Sequence, residues 1–269
     1  MKAATTSSSE TPPPPSGVPS SLTEDGFLGG RLRVLQPEKG FRAGIDSVFL
    51  AACVPCVPGE TLMEAGMGTA VASLCILARV PNVHITGIEI AVRYALLAEE
   101  NARRNGFTQN IRVIQGDVKD CMRRDRAHWP AHGSFNHVFA NPPFHEAEKV
   151  QLSPNMLKAQ ASAFAAEDLE LWVKVLHTMV ALRGTCTIVH RAEALGTVLT
   201  AMHDRFGDIR VAPLYAREGM AASRVIIQGV KGARAPLQLL PGLILHAAGN
   251  NFTPEAEAIL RDGLAWRLR

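Results

Sequence analysis

Residues 61–70 read TLMEAGMGTA, and this stretch decides the fold of the chain. Thr61–Met63 is a short apolar run typical of a buried strand, and a helix is predicted over Ala70–Arg79. Between them, Gly66 and Gly68 allow a tight turn and a close approach of the backbone to a ligand. The stretch therefore predicts a strand, a glycine turn and a helix, the unit from which parallel α/β sheets are built.

The same alternation of strands and helices continues through the rest of the chain. Further strands are predicted at Val83–Ile88, Ile111–Ile114, Phe135–Ala140 and Thr185–Val189. Further helices are predicted at Val92–Asn105, Glu167–Ala181 and Ala192–Phe206. Two successive strands without a helix between them, which predict an antiparallel hairpin at the sheet edge, are Ile209–Leu214 and Arg224–Val230. The pattern predicts an α/β fold with a Rossmann-like, mostly parallel, seven-stranded sheet.

Polar side chains stand at the ends of four of these strands. They are Glu64, Glu89, Asp117 and Asn141, and they follow one another at intervals of 25, 28 and 24 residues. Each interval fits one step from strand through helix to strand. Because open α/β sheets bind ligands at the carboxyl ends of their strands, we expect all four residues to face one crevice.

The composition is that of an ordinary globular enzyme, with 47% hydrophobic and 20% charged residues among 269. Residues 1–21 are rich in Ser, Thr and Pro and predict a disordered tail, so the domain is expected to span residues 22–269. The sequence shows neither a membrane span nor a signal peptide, which predicts a cytoplasmic protein without membrane contact. Five cysteines, including the pair Cys53 and Cys56, predict reduced thiols rather than a metal site. We expect a monomer.

The acid in front of the glycine turn indicates the ligand. Glu64 precedes Ala65, Gly66, Met67 and Gly68. A carboxylate beside a pyrophosphate would be repelled, which argues against a nicotinamide dinucleotide. A carboxylate does suit the cationic sulfonium and ammonium groups of S-adenosylmethionine. These five residues are therefore predicted to bind S-adenosylmethionine, and the alternative is a purely structural turn.

Two further strand ends complete the expected cofactor site. Glu89, with Ile90 beside it, follows Gly68 by 21 residues and is placed to accept both ribose hydroxyls of an adenosine. Asp117 is expected to accept a hydrogen bond from the adenine amine of the cofactor. The backbone of Val118 is expected to serve the adenine ring nitrogen.

The catalytic residues are predicted to be Asn141, Pro142, Pro143 and Phe144. The two prolines fix the backbone and remove two donors. The Asn141 side chain, which also borders the cofactor, and the Pro142 carbonyl can then accept the two protons of a planar amine. This arrangement turns the nitrogen lone pair towards an incoming methyl group. Phe144 offers an aromatic face on which a planar substrate can stack.

These motifs together resemble those of class I methyltransferases that modify exocyclic or amide nitrogens. The motifs are EAGMG at residues 64–68, IE at 88–89, GDV at 116–118 and NPPF at 141–144. The resemblance implies the class I methyltransferase fold and S-adenosylmethionine as the cofactor.

Other stretches resemble one group within that class, the bacterial tRNA(valine) adenine-N6 methyltransferases. They are FRAGIDSVFL at residues 41–50, SRVII at 223–227 and LILH at 243–246. The resemblance covers the chain from Asp25 to its end. It implies an RNA partner, namely tRNA, and adenine-N6 as the methylated group.

The resemblance also implies that Asp46 lies near the methionine end of the cofactor and Arg42 near the substrate entrance. Asp46 is equally suited to cap the helix Val48–Cys53. Ala70 stands where glycine is commoner, and Phe144 where many adenine enzymes have tyrosine. The second departure leaves guanine-N2 in rRNA and the glutamine amide of a protein open as targets. The alternative of another class is a catalytically inactive RNA-binding module with the same fold.

A tRNA partner requires basic side chains for its phosphates, and its target base has to leave the stack to reach the pocket. The formal net charge of +3 permits such a polyanion. The candidate phosphate contacts are Arg31, Arg33, Arg42, Arg103, Arg104, Arg123, Arg124, Arg126, Lys231 and Arg234.

Overall fold

The computed structural model describes residues 21–123, 129–143 and 154–268, with side chains from residue 167 onward in the last range. Apart from Ser21, the predicted disordered tail lies outside these residues. The described ranges form a two-stranded hairpin and a nine-stranded sheet. None of their helices has both the length and the apolar character needed to cross a bilayer.

The elements follow one another in the order that an α/β fold requires. The strands are β1 (Leu22–Phe27), β2 (Leu32–Pro37), β3 (Thr61–Ala65), β4 (His84–Glu89), β5 (Ile111–Gln115), β6 (Phe135–Ala140), β7 (Val180–Arg191), β8 (Phe206–Tyr215), β9 (Ala222–Lys231), β10 (Gln238–Leu239) and β11 (Leu243–Ile244). The helices are α1 (Ile45–Cys53), α2 (Val71–Arg79), α3 (Val92–Arg104), α4 (Pro154–Met179), α5 (Leu195–Met202) and α6 (Pro254–Asp262).

The large sheet has the strand order β10-β8-β9-β7-β6-β3-β4-β5, and β11 also pairs with β8. Strands β3 to β7 pair in parallel, whereas β9 is antiparallel to both β7 and β8. This topology confirms the predicted mostly parallel α/β sheet with an antiparallel hairpin. The seven predicted strands are β3 to β9. The two-residue strands β10 and β11 were not predicted, and they cover β8, so the hairpin is not the outermost part of the sheet.

Two predicted helix ends were wrong because tertiary pairing outweighs local periodicity. The helix predicted to reach Phe206 ends at Met202, and Phe206 is the first residue of β8. The Phe206 side chain is buried there and contacts the His177 ring edge-to-face, with the ring centroids 5.3 Å apart. The helix predicted to reach Ala181 ends at Met179, and β7 begins at once beside β6.

The core lies on both faces of the sheet because side chains alternate along each strand. In β3, Leu62 packs into a cluster with α1, α2 and α6, whereas Met63 packs into a cluster with α4 and α5. Glu64 therefore shares the α2 face with Leu62. Helices cover both faces, as a parallel sheet requires.

The N-terminal hairpin was not predicted, and amide side chains of α3 hold its free edge. Asn101 Oδ1 accepts from the Leu35 N–H at 2.7 Å, and its Nδ2 donates to the carbonyls of Leu35 and Thr69, each at 3.0 Å. Asn105, which follows α3, binds Arg33 in the same way: its Oδ1 accepts from the Arg33 N–H at 3.0 Å, and its Nδ2 donates to the Arg33 carbonyl at 2.8 Å. Asn101 and Asn105 are four residues apart, which corresponds to a rise of ~6 Å along a helix, and Leu35 and Arg33 are two residues apart, which corresponds to ~6.6 Å along a strand. The two amides are therefore spaced to bind alternate residues of β2. The bond to Thr69 also ties the hairpin to the glycine turn.

Replacement of Asn101 by alanine should lower the free energy of unfolding by roughly 2 to 4 kcal/mol, because buried backbone groups of Leu35 and Thr69 lose their partners. Urea denaturation followed by circular dichroism measures the change. Asn105→Ala is the matched control, since its Arg33 partner is exposed and water can replace the amide. Equal losses in the two variants would contradict this account.

Candidate active site

Three neighbouring strands end side by side at one edge of the sheet. Ala65 of β3 lies opposite Ile88 of β4 and Ala140 of β6. The next residues along the three strands are the first glycine of the turn, Glu89 and Asn141. Two of the four residues predicted to face one crevice, Glu89 and Asn141, thus stand at the same edge as the glycine turn, and of the four only Asn141 lines the cleft described below.

The glycine turn is closed by two aromatic rings. Gly66 and Gly68 have φ angles of 66° and 54°, in the left-handed region that favours glycine. A β-carbon at Gly66 would lie 2.6 Å from Trp172 Cη2, and one at Gly68 would lie 3.1 Å from Phe41 Cε1. Side chains at either position would displace these rings. Ala70 has a φ of 68°, so it adopts the conformation that the commoner glycine would adopt more easily.

Glu64 lies beneath the turn. Its carboxyl group is buried, accepts a hydrogen bond from the Ser73 hydroxyl of α2, and does not line the cleft described below. The pKa of Glu64 is raised to about 8, chiefly by burial and to a smaller extent by the nearby Glu89 carboxylate, against the opposing effect of the hydrogen bonds with Ser73. At neutral pH this carboxyl is therefore mostly protonated.

Glu89 joins the glycine turn to the start of α3. Its Oε2 accepts from the Gly68 N–H at 2.8 Å, and its Oε1 accepts from the Ala91 N–H at 2.9 Å. The carboxyl group is buried and fixed by these two backbone donors. Ile90 beside it is exposed, and its carbonyl accepts from Gln115 Nε2 at 3.0 Å.

Asp117 stands at the end of β5, two residues after the strand. Its Oδ1 accepts from the Lys119 N–H at 2.9 Å and caps a short 3-10 turn. Val118 is buried. A β-carbon at Gly116 would lie 2.9 Å from Trp129 Cζ2, so a flat indole packs on this strand end.

Asn141 presents a buried acceptor. Its Oδ1 is inaccessible to solvent and has no hydrogen-bond partner among the described residues. Pro142 behind it is buried, and Pro143 is exposed. Phe144 lies outside the described residues. A buried polar atom without a partner is rare in folded proteins and marks a candidate ligand contact.

A cleft of about 460 Å³ opens beside Asn141. It brings together three predicted site residues, Arg42, Asp46 and Asn141. Its full lining is Phe41, Arg42, Ala43, Gly44, Ile45, Asp46, Asn141, Ser223, Arg224 and Leu245.

Asp46 pairs with Arg224 across this cleft, with 2.9 Å between Oδ2 and Nε. The alternative prediction, that Asp46 caps the helix, was wrong. Helix α1 begins at Ile45, one turn earlier than predicted, and Gly44 is its N-cap without a side-chain bond. Asp46 therefore lies inside the first turn, where its carboxylate is free to pair with the arginine.

Arg42 lines the cleft with its guanidinium held by the hairpin. It donates to Thr23 Oγ1 and to the Pro37 carbonyl, both at 2.7 Å, and pairs with Asp25. The residue thus fastens the cleft wall to β1 and β2, and its charge is partly neutralised.

Other predicted phosphate contacts also have partners within the protein. Lys231 Nζ donates hydrogen bonds to the carbonyls of His177 and Val180 at the end of α4, so the ammonium group already has partners within the protein. Arg103 and Arg104 both pair with Glu100. The remaining paired arginines are Arg31, Arg33 and Arg123, whose partners are Leu28, Glu24 and Asp120. Arg124 and Arg126 lie outside the described residues, whereas Arg234 is exposed.

Thiols do not contribute to the site. All five cysteines are free and buried, and burial raises the pKa of Cys53 and of Cys56. In the described part of the chain, no three His, Cys, Asp or Glu side chains are grouped so that they could hold a metal ion.

Sequence reasoning missed several residues of this edge. Phe41 and Arg224 stood in stretches quoted for their resemblance, but neither was assigned to the site. Trp172 and Trp129 cover Gly66 and Gly116, the glycines that directly follow β3 and β5. No local pattern could have found these contacts, since residues 178 positions apart form the Asp46–Arg224 pair.

The sequence model of the methyltransferase small domain family matches residues 42–189. Two relatives carry the name tRNA1(Val) (adenine(37)-N6)-methyltransferase. The Shewanella baltica protein is 21% identical over 228 residues, which cover 83% of this chain and 92% of the relative. The Vibrio cholerae protein is 28% identical over 105 residues, which cover 39% and 40%.

One solved structure, of a predicted O-methyltransferase from Agrobacterium tumefaciens, superimposes with a TM-score of 0.67. It is 22% identical, and the match covers 82% of this chain and 98% of that one. At this identity the likeness shows a shared fold.

The raised pKa of Glu64 predicts that stability falls as pH rises between about 4.5 and about 8. In this window the unfolded chain releases the proton and the folded chain keeps it, so unfolding becomes easier. Glu64→Gln should flatten the dependence, measured by urea denaturation across the pH range. Glu99→Gln, on the exposed face of α3, should keep the slope of the parent protein. The same slope in Glu64→Gln and the parent would overturn the assignment.

Proposed function

Because the chain belongs to the methyltransferase small domain family, and is an S-adenosylmethionine-dependent methyltransferase with the class I fold, we propose that it methylates the exocyclic amine of adenine in tRNA. The observation that carries this proposal is the buried, unpartnered Oδ1 of Asn141 beside two prolines at the mouth of the cleft. The names of the Shewanella and Vibrio relatives support adenine-N6 and tRNA as the target and partner.

The residues at the strand ends fit S-adenosylmethionine, which supplies an electrophilic methyl group when bound. Each Glu89 oxygen uses one acceptor position on a backbone N–H and has another left, so the carboxylate can accept two ribose hydroxyls. Asp117 likewise retains acceptor positions for an adenine amine. In this proposal Glu64 supports the turn from beneath through Ser73.

The substrate amine is held by acceptors alone. Asn141 Oδ1 and the Pro142 carbonyl each accept a hydrogen bond from one amine N–H, and the prolines bring no competing N–H. The nitrogen lone pair is then directed towards the methyl group. Positive charge that develops on nitrogen is stabilised by the same two oxygens. No strong base is required before attack, because the nitrogen loses a proton easily once it carries the methyl group. Positioning of the two bound partners then supplies most of the acceleration.

The same pair of acceptors suits guanine-N2 and a glutamine amide, so these targets are the chemical alternatives. An inactive RNA-binding module is the alternative of another class. The resemblance to adenine-N6 enzymes favours adenine among these targets, and the following assay separates all four.

The proposal is tested by transfer of labelled methyl from S-adenosylmethionine to unmodified RNA and protein. The substrates are a valine tRNA transcript, the same transcript with guanine in place of adenine 37, an rRNA transcript and a protein extract. We expect 6-methyladenosine from the first transcript alone, identified by nucleoside mass spectrometry. Label in rRNA guanine or in glutamine would replace the proposed substrate, and absence of any label would favour the binding module.

Asn141→Ala should lower turnover by roughly 100- to 1000-fold, because one of the two acceptors for the developing charge is lost. The dissociation constant of S-adenosylmethionine, measured by calorimetry, should change by less than about threefold, since most cofactor contacts lie elsewhere. Asn136→Ala is the matched control, on the same strand but exposed at its opposite end. Near-normal turnover in Asn141→Ala would refute the assignment.

A further inference from the structure

Phe41 is the one phenylalanine, tyrosine or tryptophan of the described side chains that is strongly exposed, with 50% of its surface accessible. Phe41 lines the same cleft as Asn141 and Arg224. Its Cε1 edge also packs on Gly68 of the glycine turn. The residue therefore stands between the cofactor turn and the unpartnered acceptor.

Phe41 is held firmly despite its exposure. The buried Tyr94 hydroxyl accepts from the Phe41 N–H at 3.0 Å and donates to the Phe41 carbonyl at 3.2 Å. The two rings meet edge-to-face, with centroids 6.1 Å apart and planes at 88°. One buried side chain thus fixes the backbone of Phe41 and supports its ring.

The segment of the cleft lining that contains Phe41 is held a second time at Ala43, two residues further along the chain. The side-chain amide of Gln36, itself buried, accepts from the Ala43 N–H at 2.8 Å and donates to the Ala43 carbonyl at 3.1 Å. A flat ring on so rigid a support loses little entropy when a planar group stacks on it.

We propose that Phe41 is the platform on which the target nucleobase stacks while Asn141 Oδ1 accepts a hydrogen bond from its amine. The inference rests on the proposed function and names a residue that positions the base. A purine has both an apolar π-face and an amine edge, and the cleft offers an aromatic face together with an orphaned acceptor. Stacking selects a planar group, and the acceptor selects the amine.

Two variants distinguish the effect of the planar aromatic face of Phe41 from the effect of its apolar volume. Phe41→Leu keeps an apolar side chain but has no face, and it should raise KM for the tRNA transcript by roughly 10- to 100-fold. Phe41→Trp restores a face and should bring KM back to within a few-fold of the parent value. The dissociation constant of S-adenosylmethionine should change by less than about threefold in both. Leu182→Ala is the control. Leu182 is 73% exposed near the start of β7, at the opposite end of the strands from the cleft, and its replacement should leave every constant unchanged.

The outcomes distinguish this inference from the proposed function. An unchanged KM in Phe41→Leu, with an active parent protein, would overturn the platform alone. Weaker S-adenosylmethionine binding with unchanged KM for RNA would overturn it too and assign Phe41 to the cofactor wall. Methylation of a base other than adenine would overturn the proposed target, and the same KM comparison on that RNA would still decide the role of Phe41. If the parent protein methylates no nucleic acid, both proposals fail.

Discussion

The register of β4, β3 and β6 is the constraint on which the site depends. Ala65 lies opposite both Ile88 and Ala140, so the carboxyl ends of these three adjacent strands are aligned. A shift of one residue in either pairing would turn Glu89 or Asn141 to the other face of the sheet. The buried apolar side chains on both faces hold this register, and the polar residues at the edge depend on it.

Polar side chains build the cleft by bonding to the backbone. Asn101 serves β2 and the glycine turn, Gln36 serves the wall at Ala43, and Glu89 serves the turn and α3. The three side chains are buried, so each bond satisfies a polar group that has been withdrawn from water. The hairpin, the turn and the cleft wall consequently form one preorganised unit.

Much of the fold and of the edge was predictable because its signals are local. The alternation of apolar strand segments with helical segments located β3 to β9. The hairpin of β1 and β2 was not predicted, and the amides that bind its edge at Arg33 and Leu35 follow it by 72 and 66 residues in the chain. The protonation of Glu64 was not predicted either, since a pKa depends on burial in the folded chain.

The sequence by itself determined the α/β alternation, the position of the strand ends and the chemical character of the groups placed there, because side-chain periodicity and proline geometry act over a few residues. Only the tertiary structure decided that Arg224 pairs with Asp46, that Phe41 rests on Tyr94 and Gly68, and that Asn141 Oδ1 is buried without a partner. These contacts join residues far apart in the chain, and their geometry exists only once the sheet has set the distances between them.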